Sequence, residues 1–467
     1  MSEVKNKKVQ SDFQHTEIGN FPSDWSIHQL VDIAENNGLV RGPFGGALKK
    51  NSFVKKGFKV YEQRNAIYSS VDIGRYYISA SKFQELSRFS VNSGEFIVSC
   101  SGTIGKIYQI PKNAPKGIIN QALLKIKLNS LIEPRYFYQV FNSDSFQDRI
   151  TDSTQGGAMK NLIGMSEFKK SIIPLPSLQE QTAIATALSD VDNLIQSLEK
   201  LIAKKEAIKT GTMQQLLTGK TRLPEFATRE DGSLKGLKQT DLGQIPEDWE
   251  HKTLFEMTEN KGLVRGPFGG ALKKDSFVRT GFKVYEQRNA IYSNTEIGKY
   301  YIDRDKFNEL QRFTVKPKDF IVSCSGTIGR IYQIPVNAPE GIINQALLKI
   351  TLSKNTDEHF FYQIFNSKEF QESITDSTQG GAMKNLIGMS EFKKSIMLMP
   401  PKTEQNAIAT ILSDIDTEIQ ALQQRLEKTK DIKQGMMQQL LTGKVRLVDS
   451  SAKSDTQTLA SKGELQA

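Results

Sequence analysis

Three short segments of the sequence carry side chains of the types that read nucleic acids. The decapeptide RGPFGGALKK begins at Arg41, YEQRNAIY covers residues 61–68, and STQGGAMKN covers residues 153–161. Arginine and lysine bond to guanine edges or phosphates, asparagine and glutamine bond to adenine edges, and glycines let backbone amides approach phosphates. Each segment alone is also typical of an ordinary solvated loop. All three recur, starting at residues 265, 285 and 377, and this repetition favours a shared binding role.

The residues that we predict to contact nucleic acid lie in these segments of both copies. In the first copy they are Arg41, Lys49, Lys50, Gln63, Arg64, Asn65, Gln155 and Lys160. In the second copy they are Arg265, Lys273, Lys274, Gln287, Arg288, Asn289, Gln379 and Lys384. We expect the arginine and amide side chains to contact bases, whereas the lysines are expected to contact phosphates.

Patterns for catalysis and metal binding are missing from the repeated sequence. The four histidines are His15, His28, His251 and His359, and none has a histidine at the equivalent position of the other copy. A histidine-based catalytic or metal site in both copies is therefore not predicted. Cys100 and Cys324 are equivalent, but each ends a strand-like apolar run and is predicted to be a buried thiol. We find no phosphate loop, dinucleotide fingerprint, paired zinc-ligand spacing or amino-methyltransferase tetrapeptide. The chain is predicted to recognise a ligand rather than to be an enzyme.

Composition and charge are those of a folded, basic protein. The chain has 467 residues, of which 38% are hydrophobic, and a formal net charge of +10. An anionic partner such as nucleic acid fits this charge balance. No apolar run of about 18 residues predicts a membrane span, and no secretory signal is predicted. Because the two cysteines lie in separate copies, a disulfide framework is not predicted. We therefore expect a cytoplasmic protein with no membrane partner.

One module is used twice in this chain. Residues 11–222 align without a gap with residues 235–446, at a constant offset of 224, and only three of the 31 positions in 38–68 differ. The first part of each copy has short apolar runs separated by Gly, Pro, Asn and Ser, which predicts a mixed α/β globule. Strands are predicted for residues 95–100, 106–110 and 122–128, and a short helix for residues 143–150.

A long amphipathic helix is predicted after each globule. Apolar residues recur at heptad spacing and form a seam at Ile184, Leu188, Val191, Ile195, Leu198 and Ile202 and at Ile408, Leu412, Ile415, Ile419, Leu422 and Leu426. About 40 helical residues would span about 60 Å. Such a seam could pack on its own globule or on the other long helix, and the matching register favours packing between the helices.

These patterns predict an α+β fold divided into six segments. They are a globular domain in residues 1–176, a long helix in 177–220, a polar linker in 221–240, a second globular domain in 241–400, a second long helix in 401–444 and a disordered tail in 445–467. The linker prediction rests on Pro224, Gly232 and a run of polar residues. The tail prediction rests on its polar composition, which offers little apolar surface to bury.

The order of motifs resembles the specificity subunit of type I restriction-modification systems over about residues 11–447. FPSDW and IPEDW, which end at Trp25 and Trp249, open the two modules. RGPFGGALKK, then SGTIGK or SGTIGR, then GGAMKNL follow in each module. PSLQEQTAIA and PPKTEQNAIA begin the two long helices, and QQLLTGK closes each of them. The order of these motifs and their repetition are specific to that family.

The resemblance implies two target recognition domains, each reading one half-site of double-stranded DNA, joined by two antiparallel spacer helices. It implies that the helical region, including the seam, docks two adenine-methylating modification subunits. Motor and nuclease activity would belong to separate restriction subunits. S-adenosylmethionine, ATP and Mg²⁺ are expected on those partner subunits, with no cofactor in this chain. The implied function is sequence-specific DNA recognition that directs methylation or restriction, as in phage defence.

Two nearly identical modules predict a symmetric DNA target. If the helices pair antiparallel, a pseudo-two-fold axis relates the copies, and a two-fold protein fits a two-fold DNA site. We therefore predict an interrupted palindrome with half-sites about one helical turn apart, although most members of the family carry two dissimilar readers. Two other classes stay open at this point. They are a self-contained DNA methyltransferase or nuclease, and a structural or RNA-binding adaptor.

Overall fold

The described part of the chain divides into two compact units. The computed structural model describes residues 12–152, 161–241, 243–376 and 385–448. Unit 1 contains the described residues up to Leu198 together with those from Arg425 onward, and unit 2 runs from Glu199 to Gln424. Each unit therefore contains one globular module and a segment of each of two long helices. The predicted six segments instead divide the chain at the ends of the helices, and those boundaries remain a prediction.

The first module consists of short strands and short helices. Its strands are β1 Phe13–Thr16, β2 Gly19–Pro22, β3 Ser26–Gln29, β4 Ala34–Arg41, β5 Phe53–Val54, β6 Phe58–Tyr61, β7 Tyr77–Ile78, β8 Ser90–Val91, β9 Phe96–Ser99, β10 Ile107–Gln109, β11 Gly117–Ile119, β12 Leu123–Leu128, β13 Thr151–Asp152, β14 Asn161–Leu162 and β15 Ile172–Leu175. Its helices are α1 Gln63–Ile67, α2 Ala80–Glu85, α3 Pro134–Phe141, α4 Asp144–Ile150 and α5 Met165–Lys169, with 3-10 turns at Gly45–Leu48, Lys50–Ser52 and Ser87–Phe89. The long helix α6, Leu178–Leu216, follows.

The second module repeats this order of elements. After the short helix α7, Pro224–Ala227, its strands are β16 Leu237–Thr240, β17 Gly243–Pro246, β18 Glu250–Thr253, β19 Thr258–Arg265, β20 Phe282–Tyr285, β21 Tyr301–Ile302, β22 Thr314–Val315, β23 Phe320–Ser323, β24 Ile331–Gln333, β25 Gly341–Ile343, β26 Leu347–Leu352, β27 Thr375–Asp376, β28 Asn385–Leu386 and β29 Ile396–Met399. Its helices are α8 Gln287–Ile291, α9 Arg304–Glu309, α10 Glu358–Phe365, α11 Lys368–Ser373, α12 Met389–Lys394 and the long α13 Lys402–Leu440, with 3-10 turns at Gly269–Ala271, Lys274–Ser276 and Gln311–Phe313.

Two larger sheets form the body of each module. In the first module, one sheet has the order β10-β9-β12-β4 and the other has the order β5-β7-β6-β11-β8. All pairs in these sheets are antiparallel except β6 with β11, which is parallel. The second module has the equivalent orders β24-β23-β26-β19 and β21-β20-β25-β22. Where the first module has β5, the second has an isolated bridge between Val278 and Tyr301.

The predicted elements of the globule are confirmed. Strands β9, β10 and β12 lie inside the three runs that were predicted as strands, and α4 lies inside the predicted short helix. Helix α4 begins after Ser143, whose hydroxyl accepts a hydrogen bond from the N–H of Phe146, as an N-cap residue does. Both modules mix helices and strands, which confirms the predicted α+β class.

Strands buried on both faces form the core of each module. All four residues of β9 are buried, as expected for a short apolar run inside a sheet that is covered on both sides. Trp25, which is 2% exposed, belongs to the same core. In unit 1, Leu440 and Leu441 at the end of α13 complete this core. In unit 2, Leu216 and Leu217 at the end of α6 complete the equivalent core. Each buried leucine contributes about 1.5–3 kcal/mol, so both long helices stabilise both modules.

A repeated glycine lies in the turn that follows each long helix. Gly219 and Gly443, in the two QQLLTGK motifs, have φ angles of +68° and +67°. This left-handed conformation terminates helices and disfavours residues that have a side chain. In unit 2, a Cβ atom at Gly219 would lie 2.7 Å from the ring of Pro246. The motif therefore ends the helix where the chain packs closely on Pro246, the last residue of β17.

The apolar seam makes two kinds of contact. Ile184 and Leu188 lie in the core of unit 1, and Ile408 and Leu412 lie in the core of unit 2, so the first turns of each seam pack on their own module. Further along, Leu198, Ile202, Ile419 and Leu426 are buried, and Val191, Ile195, Ile415 and Leu422 are half-buried. The prediction that the seam packs between the helices therefore leaves out the first turns of each seam, which pack on the module. A helix of 39 residues is long enough to begin on its own globule and to continue past it.

Ion pairs show that the two long helices run antiparallel. Within unit 2, Lys205 Nζ lies 2.6 Å from Glu418, and Lys209 Nζ lies 2.6 Å from Asp416. The residue number rises along α6 while it falls along α13, which confirms the antiparallel direction. Each pair is partly exposed and contributes about 1 kcal/mol or less. The pairs therefore indicate direction more than they contribute to stability.

An arginine just after α6 joins three residues of unit 2 in what we call the Arg222 cluster. Arg222 Nε and Nη2 donate to the two carboxylate oxygens of Glu404, both at 2.6 Å, and Nη1 and Nη2 donate to Asp248 at 2.9 and 3.1 Å. The indole N–H of Trp249 donates to Glu404 at 2.9 Å. Burial opposes the charge of the Arg222 guanidinium, but the hydrogen bonds that it donates to Glu404 and Asp248 outweigh this effect and raise its pKa.

Unit 1 contains the equivalent cluster, formed by a residue near the end of the chain. Arg446 donates to Glu180 at 2.6 and 2.8 Å and to Asp24 at 2.9 and 2.8 Å. Arg446 lies in the segment 445–467 that was predicted to be a disordered tail. Its two bidentate ion pairs show that this tail prediction is wrong for the first residues of the segment, and residues 449–467 lie outside the described ranges.

The segment predicted as a polar linker, residues 221–240, is structured. It contains α7 and β16, and β16 pairs with β17. Arg229 donates to both carboxylate oxygens of Glu247, at 2.8 and 2.7 Å, and to the carbonyl oxygen of Leu234 at 2.8 Å. The polar residues of this segment thus bond to one another and to the second module, which composition alone does not reveal. Within the described ranges, no helix has the length and apolar character needed to span a bilayer.

Candidate nucleic-acid interface

Two segments of the first module meet where β4 ends. The Nε of Arg41, the last residue of β4, lies 3.4 Å from the carbonyl oxygen of Gln121 in the turn before β12. In the same turn, the backbone N–H of Asn120 donates at 2.9 Å to the carbonyl oxygen of Tyr61, which ends β6. The turn before β12 therefore brings the RGPFGG segment next to the EQRN segment.

The SGTIGK segment joins the same surface. It follows β9, and the N–H of Cys100 donates at 2.8 Å to the carbonyl oxygen of Ala122. A Cβ atom at Gly102 would lie 3.9 Å from the amide nitrogen of Gln63. Four segments, namely three loops and the first turn of α1, thus converge, and we call the surface that they form the loop face. It comprises residues 41–46, 62–65, 100–106 and 119–122.

The second module builds the same loop face. The equivalent hydrogen bonds join Arg265 Nε to Gln345 at 3.4 Å, Asn344 N to Tyr285 at 2.9 Å and Cys324 N to Ala346 at 2.9 Å. This loop face comprises residues 265–270, 286–289, 324–330 and 343–346. The distances agree between the modules because the residues that make the contacts are identical.

A glycine makes the close approach of two loops possible. A Cβ atom at Gly42 would overlap the backbone carbonyl of Asn120, and one at Gly266 would overlap that of Asn344. Backbone atoms cannot swing aside as a flexible side chain can, so these positions require glycine. The decapeptide that begins at Arg41 thus owes one of its glycines to packing between loops.

The cationic side chains predicted to contact DNA are accessible on or beside the loop faces. Arg41 and Arg265 are half-buried. The exposed cations among them are Lys49, Lys50 and Arg64 in the first module and Lys273, Lys274 and Arg288 in the second. Each module thus presents a half-buried arginine, whose Nε contacts a backbone carbonyl, together with exposed cationic side chains. Such a surface can hold phosphates and can reach the acceptor atoms of a guanine edge.

The amides of Asn65 and Asn289 are buried, which differs from their predicted contact with DNA. Both residues are 0% exposed. Asn65 Oδ1 accepts from the N–H of Glu62 at 2.8 Å, and its Nδ2 donates to the carbonyl oxygens of Ser70 and Ile73 at 2.7 and 2.8 Å. Asn289 makes the equivalent three bonds. Since both amide donors are already used, these residues position the helix and the loop after it.

Replacing Asn65 with alanine is expected to destabilise unit 1 by about 1–3 kcal/mol, because buried groups lose their hydrogen-bond partner. Urea unfolding followed by fluorescence in a Trp249→Phe background, in which Trp25 reports unit 1, would measure the change. Asn289→Ala should have the same effect on unit 2 and none on unit 1. An unchanged urea midpoint for Asn65→Ala would mean that water replaces the amide without cost.

The other amide candidates divide into two groups. Gln63 and Gln287 lie on the loop faces, and the Oε1 atom of each is buried without a hydrogen-bond partner among the described residues. Contact of these two amides with a base would therefore require the side chain to turn outward. Gln155, Lys160, Gln379 and Lys384 lie outside the described residues, so their contact with DNA stays a prediction.

Sequence reasoning missed two of the four segments: SGTIGK, which served the family resemblance but was not assigned to the interface, and the turn before β12. The turn before β12 and its equivalent before β26 hold the other loops together through Asn120, Gln121 and their counterparts. The signal was present, because GIINQALLKI occurs without change at residues 117–126 and 341–350. The turn was overlooked since it carries no cationic side chain beside its amides.

Comparison with known proteins places this duplicated architecture in a family. The family described as "Type I restriction modification DNA specificity domain" matches residues 22–209 and again residues 246–430. The chain belongs to this specificity family. Both matches include a loop face, and together they include most of α6 and α13.

Individual members of the family match this chain over nearly its whole length. The type I restriction enzyme MjaVIII specificity subunit of Methanocaldococcus jannaschii is 26% identical over 449 residues, which cover 91% of this chain and 94% of that protein. The crystal structure of the S subunit of a type I system from M. genitalium superimposes with a TM-score of 0.51 at 15% identity, covering 89% of this chain and 96% of the other. A chain from a structural study of the assembly of a type I R-M system gives a TM-score of 0.52 at 15% identity, covering 91% and 99%.

Specificity subunits are the non-catalytic DNA-recognition component of type I systems, and this chain shares that role. It therefore works together with DNA and with other restriction-modification subunits. Among the described residues, no group of three or more His, Cys, Asp or Glu side chains is arranged to hold a metal ion. The interpretation as a self-contained methyltransferase or nuclease, and the adaptor interpretation, are both superseded by this family membership.

The cysteines of this specificity subunit are buried thiols, as predicted. Cys100 and Cys324 are free and each is 3% exposed. Burial raises the pKa of each thiol to about 11. The reactive thiolate is therefore scarce at neutral pH.

Neither cysteine is expected to react with a maleimide or with iodoacetamide in the native protein at pH 8. With a pKa of about 11, about one thiol in a thousand is ionised at that pH, and burial blocks access as well. Mass spectrometry should show no label before urea is added and two labels per chain afterwards. Rapid labelling of one cysteine in the native protein would contradict the burial of that position.

Proposed function

We propose that each module reads one half-site of a bipartite, interrupted palindrome in double-stranded DNA. The observation that carries the proposal is that both loop faces present the same residues in the same geometry, with Arg41 and Arg265 anchored at equal distances. Two modules that present the same residues are expected to bind half-sites of the same base sequence. Their opposite orientation in the DNA is inferred from the antiparallel direction of the long helices.

Anchored arginines support base reading at these faces. The Nε of Arg41 is engaged by the carbonyl oxygen of Gln121, which leaves the terminal guanidinium nitrogens to meet an acceptor pair such as guanine O6 and N7. Lys49 and Lys50 are exposed beside them and suit phosphates. A good base contact is worth about 1–3 kcal/mol of discrimination, whereas phosphate contacts add affinity without sequence preference.

The proposal extends to the partner subunits. Two modification subunits would methylate one adenine on each strand, and restriction subunits would supply motor and nuclease activity. S-adenosylmethionine, ATP and Mg²⁺ would be bound by those partners rather than by this chain. The seam residues predicted to dock partners are buried or half-buried within each unit. Partners would therefore meet the outward faces of α6 and α13, where Leu194, Leu201 and Ile432 are exposed.

Methylation mapping tests the proposed function. Genomic DNA from the host should carry adenine methylation at an interrupted palindrome, with one modified adenine per strand, and deletion of this gene alone should abolish that methylation. The purified chain, given S-adenosylmethionine and DNA but no partner, should transfer no methyl group. It should prefer duplex DNA to RNA of the same sequence. An asymmetric methylated motif would contradict the model of two equal readers.

A further inference from the structure

An exposed phenylalanine stands on each loop face. Phe44 and Phe268, in the two RGPFGG segments, are 70% and 71% exposed. The guanidinium carbons of Arg41 and Arg265 lie 5.9 and 6.0 Å from the centroids of these rings. Both modules thus hold a large apolar ring in solvent next to the arginine that we propose as the base reader.

The segment that carries the ring is anchored by apolar neighbours. In the first module, Ala47 and Leu48, which follow in the same 3-10 turn, pack against a small apolar core. In the second module, Ala271 and Leu272 do the same. The neighbours of the phenylalanine are thus drawn inward while its own ring is directed away from the protein. Exposure of such a ring forgoes part of the stabilisation that its burial would give, and the exposure is nearly the same in both modules.

The surroundings of the ring indicate what covers it. In the first module, the exposed cations Lys49 and Lys50 follow within six residues, and Arg41 lies within contact distance of the ring. An apolar protein partner would have to bury these charges without compensation. Double-stranded DNA offers phosphates for the cations and the faces of bases for the ring. The charge therefore favours DNA as the partner of this surface.

We propose that Phe44 and Phe268 insert between adjacent base pairs, so that each module unstacks one base step in its half-site. This inference rests on the proposed function. Apolar wedges on other proteins enter DNA between base steps from the minor groove and kink the duplex. A ring beside an arginine that reads guanine O6 and N7 would enter from the major groove. The cost of unstacking depends on the step, and pyrimidine–purine steps open most easily. Each half-site should therefore contain a flexible step beside the base that Arg41 or Arg265 reads, selected without a hydrogen bond to that step.

The experiment uses the full chain assembled with its partner subunits and a duplex that carries the motif found by methylation mapping. A fluorescent 2-aminopurine replaces one base at a time along one half-site. With wild-type protein, fluorescence should rise at one step, because an unstacked 2-aminopurine is less quenched. Since the motif is palindromic and the complex can bind in either direction, Phe268→Ala should remove about half of this rise. The double variant Phe44→Ala/Phe268→Ala should remove all of it.

Affinity provides a second readout. Loss of stacking at one base is expected to weaken specific binding by about 10- to 100-fold per substitution. Phe268→Leu should keep most of the fluorescence rise, because leucine is also an apolar wedge. The matched control is Phe255→Ala. Phe255 is also exposed, at 53%, but it precedes β19, whereas Phe268 follows that strand. This control should behave as wild type, and none of the variants should shift the urea midpoint.

The outcomes separate the insertion from the proposed function. If wild-type protein prefers the motif and the double variant shows the same affinity and the same fluorescence, the insertion is overturned while the proposed function stands. If the double variant binds the motif normally but no longer assembles with partner subunits, the ring is a protein contact and the insertion is equally overturned. If the wild-type complex shows no preference for the motif, the proposed function fails and the insertion fails with it.

Discussion

Replacing Arg222 with alanine is expected to lower the free energy of unfolding of unit 2 by about 3–5 kcal/mol. The side chain of Glu404 is 1% exposed and that of Arg222 is 10% exposed. Without the guanidinium, the carboxylate of Glu404 keeps its desolvation cost and loses two hydrogen bonds of 2.6 Å. The indole N–H of Trp249 still donates to it, which places the expected loss towards the lower end of the range.

The two tryptophans allow each unit to be followed alone. Trp25 belongs to the core of unit 1 and Trp249 to that of unit 2. In a Trp25→Phe background, fluorescence during urea unfolding reports unit 2, and Arg222→Ala should lower its midpoint without a change in slope. In a Trp249→Phe background, Arg222→Ala should leave the transition of unit 1 in place. A midpoint for unit 2 within error of the background would contradict the expected cost of the unpaired carboxylates.

A matched variant and a change of pH sharpen this test. Arg222→Lys keeps the charge but not the bidentate geometry, so its loss should be intermediate. Burial opposes ionisation of Asp248, but hydrogen bonds from Arg222 and Lys235 outweigh it and lower its pKa below the usual 3.8. A lowered carboxyl pKa contributes stability above the unfolded pKa, and that contribution disappears as the pH falls through the folded pKa. The difference between wild type and Arg222→Ala should therefore shrink as the pH falls below about 3.8.

Gly42→Ala is expected to disrupt the loop face of the first module. The added Cβ would overlap the backbone carbonyl of Asn120, so the loop that carries Arg41 must move away from the turn before β12. Forced overpacking of this kind typically costs about 1–3 kcal/mol. Displacement of Arg41 should also remove base discrimination in one half-site, which corresponds to a loss of about 5- to 150-fold in specific affinity.

The decapeptide itself supplies the control for Gly42→Ala. A Cβ at Gly46 would meet only the side chain of Lys49, whose Cε would lie 2.7 Å away, and that flexible side chain can move aside. Gly46→Ala should therefore bind the mapped motif much better than Gly42→Ala and keep its discrimination in both half-sites, with at most a small loss of affinity from the displaced Lys49. Competition binding with duplexes altered in one half-site or in both would show that Gly42→Ala affects one reader only. Equal affinities for the two alanine variants would remove the close packing at Gly42 as a requirement for DNA reading.

Local patterns in the sequence were sufficient to predict the two modules, several strands and the long helices. The offset of 224 residues revealed the two modules, and the short apolar runs revealed β9, β10 and β12. The heptad spacing revealed both long helices, because a helix that buries one face must repeat apolar residues with its own period. The burial of Cys100 and Cys324 followed from the apolar runs in which they lie. The motifs RGPFGGALKK and QQLLTGK carried the resemblance to the specificity family.

Other properties depended on partners that are distant along the chain. Arg222 meets Glu404 across 182 residues, and Arg446 meets Asp24 across 422, so neither cluster leaves a local pattern. The amide side chain of Asn65 is of a type that can read a base. In the fold, however, this amide bonds to the turn that follows α1. The sequence by itself determined the repeat, the periodicities and the types of side chain on offer. Only the tertiary structure decided which of them reach solvent, because burial and hydrogen bonding depend on residues that the fold brings together.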